Sequence, residues 1–114
     1  MADKITIREH TTSDILVQLL ADNNAINLST VHHVEWCMID SKKEVYRYAS
    51  NDASPKITII DAPNGKIIFC PPDSNVFQYT RSPYKLHILV WETSTKKYSV
   101  PESGDAEIKI RREF

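Results

Sequence analysis

The residues best suited to hold a metal or to act as nucleophiles are His32, His33, Cys37, Cys70 and His87. A structural zinc site brings several such ligands to one point through short spacings of the C-x-x-C or H-x-x-x-H kind. Neither spacing occurs here. On a strand, neighbouring His32 and His33 are expected to point to opposite faces and not to share an ion. Neither thiol has a sequence neighbour that would lower its pKa, and Cys37 lies between Trp36 and Met38. No G-x-S-x-G elbow and no glycine-rich phosphate loop is present. The expectation is a chain without catalytic residues, metal or cofactor.

What remains is contact chemistry. Trp91 and Tyr98, with Tyr79 as a further candidate, fall where side chains are expected to face outward. Flat rings in such places stack on a saccharide or anchor a protein interface. The plainer alternative is that a strand, a loop or a second subunit covers them. Trp91 and Tyr98 are the candidate binding residues.

Positioning these side chains falls to one small domain, residues 1–114, enough for one hydrophobic core. The 14 Lys and Arg nearly balance 15 Asp and Glu. A protein that grips nucleic acid through phosphates normally carries a basic excess, so nucleic acid is not the expected partner. No apolar run is long enough to cross a bilayer as a helix, and the opening MADKITIREH lacks the apolar core of a secretory signal. Synthesis in a host cytoplasm, without membrane insertion, is the expectation. Two cysteines are too few for a disulfide framework and are expected to be reduced and half-buried.

Short apolar bursts alternate with turn residues along the chain, the rhythm of an all-β sandwich. KITIRE sets Ile5 and Ile7 inward. VEWCMID sets Val34, Trp36 and Met38 against Glu35, Cys37 and Ile39. KITII and KIIFC repeat the pattern through Ile57, Ile59, Ile67 and Phe69. YKLHILVWE is the clearest strand, with Tyr84, Leu86, Ile88 and Val90 on one face. AEIKIRR turns Ile108 and Ile110 inward, and weaker strands are expected at 45–48 and 97–100. Residues 13–22 admit two readings: a short helix capped by Ser13, or a strand buried on both faces. Their length favours the strand.

The stretch DAPNGKIIFCPPDSN is read as punctuation. Asn64-Gly65 suits a tight turn because both residues accept positive φ. It feeds a strand at 66–70 that Pro71-Pro72 must end. Asn23-Asn24 and Ser82-Pro83 are expected to make further turns.

In order, these signals resemble a known family. LLADNNAINLSTVHHVEWCMID resembles the opening of the immunoglobulin-like domain at the N-terminus of phage baseplate upper proteins. The turn Asp22 to Ser29 is followed by a strand carrying Val34, Trp36 and Met38. Asp61, Gly65, Ile67 and Phe69 match the family's acid, turn glycine and apolar-x-aromatic run. Tyr84, the hairpin at 93–97, Pro101, Ile108 and Ile110 follow in the family's order. The likeness spans about residues 15–110.

The resulting expectation is an immunoglobulin-like β-sandwich of about seven or eight mainly antiparallel strands. The resemblance implies a virion structural role without catalytic residues, with other virion proteins or further copies of the chain as partners. Since the sequence stops shortly after Ile110, it would be a stand-alone virion component. Two other classes stand beside this one: a carbohydrate-binding module for the host surface, and a small cytoplasmic regulator that binds a host protein.

Overall fold

The computed structural model describes residues 4–101 and 106–112. The strands are β1 (Lys4–Arg8), β2 (Ile15–Gln18), β3 (Leu20–Ala21), β4 (Asn24–Ala25), β5 (His33–Ile39), β6 (Val45–Ala49), β7 (Ile57–Asp61), β8 (Lys66–Phe69), β9 (Tyr84–Trp91), β10 (Lys97–Val100) and β11 (Ala106–Arg111). One sheet runs β1-β11-β9-β5-β6, with β10 also on β9. A three-stranded sheet runs β2-β8-β7, and β3-β4 form a two-residue ribbon. Every pairing is antiparallel except β1 with β11. The chain is thus all-β and sandwich-like.

More strands form than the alternation suggested, because β3 and β4 add a short ribbon, while the expected β10 and β11 share one lane. Val100 pairs with Ile88 and Ala106 with Leu86, both along the same edge of β9.

The inward sets are those that period-2 alternation selects. Val34, Trp36, Ile57, Ile67, Phe69, Tyr84, Val90 and Ile108 are fully buried, and Ile88 and Ile110 nearly so. Trp36 of the larger sheet stacks on Phe69 of the smaller at 4.4 Å between centroids. Such a pair contributes about 0.5–1.5 kcal/mol beyond its area. Tyr84 fastens the long 70–82 segment over this core. Its hydroxyl donates to Val76 O at 2.7 Å and accepts from Gln78 N at 3.0 Å.

Three local expectations need correction. Residues 15–18 do form a strand, but not one buried on both faces: Leu16 is 59% exposed and Leu20 45%. β2 pairs only with β8, and the outer face of its sheet has no covering layer among the described residues. At Asn64-Gly65 only Gly65 takes positive φ; Ala62–Asn64 is a 3-10 turn that Gly65 closes, rather than half of a two-residue hairpin. The earlier turn falls at Asp22-Asn23, with φ of 52 and 67, one residue before the expected pair. Two positive φ values are what a two-residue hairpin of right-twisted strands requires.

Candidate functional site

The register of β9 and β10 decides where the candidate aromatics lie. Trp91 pairs with Lys97, and Tyr98 pairs with Val90. Cross-strand partners share a face. Tyr98 therefore emerges on the face that buries Val90, and Trp91 on the opposite one. The two rings do not build a common platform. Tyr79 joins neither, lying in the 3-10 turn Tyr79–Arg81 with Arg112 over its ring.

Trp91 is enclosed by its lateral neighbours. The His33 ring stacks on it at 5.3 Å from β5, and Lys97 Nζ lies 4.8 Å from its centroid on the β10 side. His32, just outside the strand, turns back so that its Nδ1 is 2.6 Å from His33 Nδ1. The expectation that these imidazoles point apart fails because only His33 is held in the pleat. One nitrogen must donate and the other accept, so both rings cannot be charged in this arrangement. Burial and His32 together hold His33 below its ordinary pKa of 6.5. No group of three or more metal-ligating side chains occurs among the described residues.

Cys37 is 2% exposed although it lies on the outer face of its sheet, and Cys70 is half-buried; both are free thiols. The Cys37 thiol donates to Glu35 Oε1 at 3.3 Å, and Arg47 pairs with the same carboxylate. Burial and the Glu35 carboxylate push the Cys37 thiol up to about 12. Nucleophilic thiols have depressed pKa values. Cys37 is therefore expected to ignore a thiol reagent at pH 8 in the native protein and to react only on unfolding. Peptide mass spectrometry after brief labelling reads this directly.

A second constellation escaped the sequence reading. Asp40 is the only buried charged residue among those described. Its Oδ1 accepts from Lys42 N at 2.9 Å and Glu44 N at 3.0 Å, which fixes the β5–β6 turn. Its Oδ2 accepts from Tyr46 Oη at 2.9 Å and Arg81 Nη1 at 2.8 Å. Arg81 Nη1 also reaches Glu44 Oε2 at 2.8 Å. Burial, the Asp40 hydrogen bond and its charge drive the Tyr46 hydroxyl above its ordinary range. The cluster ties the turn to the 3-10 segment across the mouth of the sandwich. Beside it opens a groove of about 310 Å³ between β6 and the 72–81 segment. The inward tyrosines of β6, Tyr46 and Tyr48, form one wall.

No helix among the described residues is long and apolar enough to cross a membrane. No protein-family model matches the chain, and no curated protein does. Solved structures do match its fold. Among them is the N-terminal domain of phage TP901-1 ORF48, 9% identical, with a TM-score of 0.55 over 97% of this chain and 85% of that one. At that identity the shared property is the fold, an all-β architecture also found in a phage protein.

Proposed function

We propose that this chain is a non-enzymatic structural module of a phage virion, an immunoglobulin-like sandwich that works through contacts with other virion proteins and with further copies of itself. The observation that carries the reading is the near full-length fold match to the phage TP901-1 ORF48 N-terminal domain, beside the resemblance of the turn-and-strand order to the N-terminal domain of phage baseplate upper proteins. Tyr84 supports the immunoglobulin-like type. It opens β9 and bonds through its hydroxyl to upstream backbone, as the corner tyrosine of such domains does. The protein would be made in the host cytoplasm and carried in the particle. Quantitative mass spectrometry of purified particles tests this: the chain should be present in a fixed copy number. Its absence from particles would overturn the structural role.

The outer face of the three-stranded sheet is the contact surface favoured here. Leu16 pairs across to Ile68, and exposed Ile60 lies at the neighbouring bulge of β7. Apolar side chains grouped on an uncovered sheet face favour burial against a partner. Substituting Leu16→Lys together with Ile60→Lys should leave the melting temperature nearly unchanged, because neither residue is buried. It should also lower incorporation into particles at least tenfold, read by complementation with the variant gene.

A further inference from the structure

The groove beside Asp40 has a ligand chemistry of its own. Its wall is rigid: Tyr46 is fixed through its hydroxyl to Asp40, and Tyr48 packs its ring 5.1 Å from Phe69. These two aromatic side chains stand at alternate positions of one strand, about 7 Å apart. The opposite wall, residues 72–81, carries planar polar side chains. Arg81 contributes the groove's positive charge against Asp40, Glu44 and Asp73, so the local balance is negative. That balance disfavours an anion.

Hydrogen-bonding capacity separates the remaining ligand classes. Among the described residues, the Tyr48 hydroxyl and the Asn75 side-chain amide have no hydrogen-bond partner. Gln78 has used its Nε2 on Asn75 O at 2.8 Å but keeps its carbonyl oxygen. Asp73 has used one carboxylate oxygen on Asn75 N at 2.8 Å and keeps the other. Unspent donors therefore stand beside unspent acceptors. A cation would satisfy only the acceptors. A hydroxyl group, which both donates and accepts, satisfies both kinds. The space, about 310 Å³, is at the small end for ligand pockets and suits one ring rather than an extended molecule.

We propose that the groove between β6 and the 72–81 segment binds a neutral pyranose ring, stacked on Tyr46 and Tyr48 and hydrogen-bonded by Asn75, Gln78 and Asp73. This saccharide site is distinct from Trp91 and Tyr98 and does not depend on a virion role. It gives the domain a means of touching a sugar-coated surface, either through a single residue or through one ring of a chain.

The test is amide chemical-shift mapping on the isotope-labelled full chain. The probes are glucose, N-acetylglucosamine, maltotriose and chitotriose at up to tens of millimolar, the range in which weak single-ring sites saturate. At least one should shift the amides around Tyr48, Asn75 and Gln78, with Trp91 unmoved. Greater affinity for a trisaccharide than for its monosaccharide would mark the natural ligand as a polymer; equal affinity would mark it as a single sugar. Asn75→Ala, on an exposed loop, should weaken binding about tenfold without changing the fold, a loss of about one good hydrogen bond. Tyr48→Phe should weaken it several-fold while keeping the ring. No groove shifts with any of the four sugars would overturn the site. So would shifts confined to Trp91, or groove shifts produced by a lysine-rich peptide and not by sugars.

Discussion

Gly65→Ala is expected to cost about 3–4 kcal/mol, a large part of the stability of a domain this size. Two effects add at this position. Gly65 has φ of +65, where an L side chain costs about 1–2 kcal/mol. A Cβ there would also lie 2.6 Å from Ile26 O and 2.8 Å from Leu19 O, both backbone atoms that cannot rotate aside. Those carbonyls belong to a strap that depends on this turn. Leu19 N donates to Gly65 O at 2.8 Å, Ile26 N to Leu19 O at 2.9 Å, and Leu28 N to Ala62 O at 2.7 Å. Moving the strap would disturb Leu19 and Leu28, each 2% exposed. Urea unfolding followed by far-ultraviolet circular dichroism measures the loss. Gly65→Asn separates the two causes, since asparagine tolerates positive φ but still brings a Cβ. It should lose nearly as much as the alanine variant if crowding dominates. A stability for Gly65→Ala within about 0.5 kcal/mol of the parent would refute the close packing of this turn.

The same glycine shows what was legible in the chain and what was not. Strand character and inward sets could be read because burial on a pleated sheet imposes a period of two on local sequence, as in Tyr84, Leu86, Ile88 and Val90. The need for Gly65 could be read as a turn, but the strap that crowds it comes from 39 residues earlier in the case of Ile26 (65 less 26), and no local pattern reports that distance. Register was similarly hidden. Shifting the pairing of β10 by one residue would have put Tyr98 on the outer face with Trp91, so the side taken by Tyr98 rested on a hairpin geometry that composition does not fix. Tyr46 and Tyr48 carry no local sign of a site, since alternate tyrosines on a strand look like any core face; only the edge location of β6 leaves them lining a groove. Asp40 had one local sign, an aspartate opening the turn Asp-Ser-Lys-Lys-Glu, the usual setting for a side chain that bonds backbone N–H groups two or more residues on. Its second partner, Arg81, lies 41 residues away and had none.

Asp40→Ala is the other substitution with a large expected effect, about 2–4 kcal/mol, because several hydrogen-bond donors at the turn lose a buried acceptor at once. Lys42 N and Glu44 N lose their side-chain acceptor, while Tyr46 Oη and Arg81 Nη1 each lose one of two, keeping only Glu44 Oε2. The wild-type carboxylate also gives stability a characteristic pH dependence. Burial alone would raise its pKa, but Arg81, the Glu44 and Lys42 N–H groups and the Tyr46 hydroxyl outweigh that and hold it below its ordinary value of 3.8. The unfolded chain therefore takes up the proton first as pH falls. The contribution of Asp40 is complete above about pH 4 and is lost as pH drops through the lower, folded value. Depressed His33 adds a separate decline that begins as pH falls below 6.5. Asp40→Asn keeps one acceptor oxygen and the side-chain volume, so it should fold even if the alanine variant does not. It should nevertheless lose the steep acid limb below about pH 4 while keeping the shallower slope from His33. Equilibrium unfolding of parent and Asp40→Asn across that range distinguishes the two groups. Parallel curves down to the most acid condition would mean that the carboxylate is not the negative centre that draws Arg81, Tyr46 and the β5–β6 turn together. The rigid wall of the saccharide groove would then have no anchor.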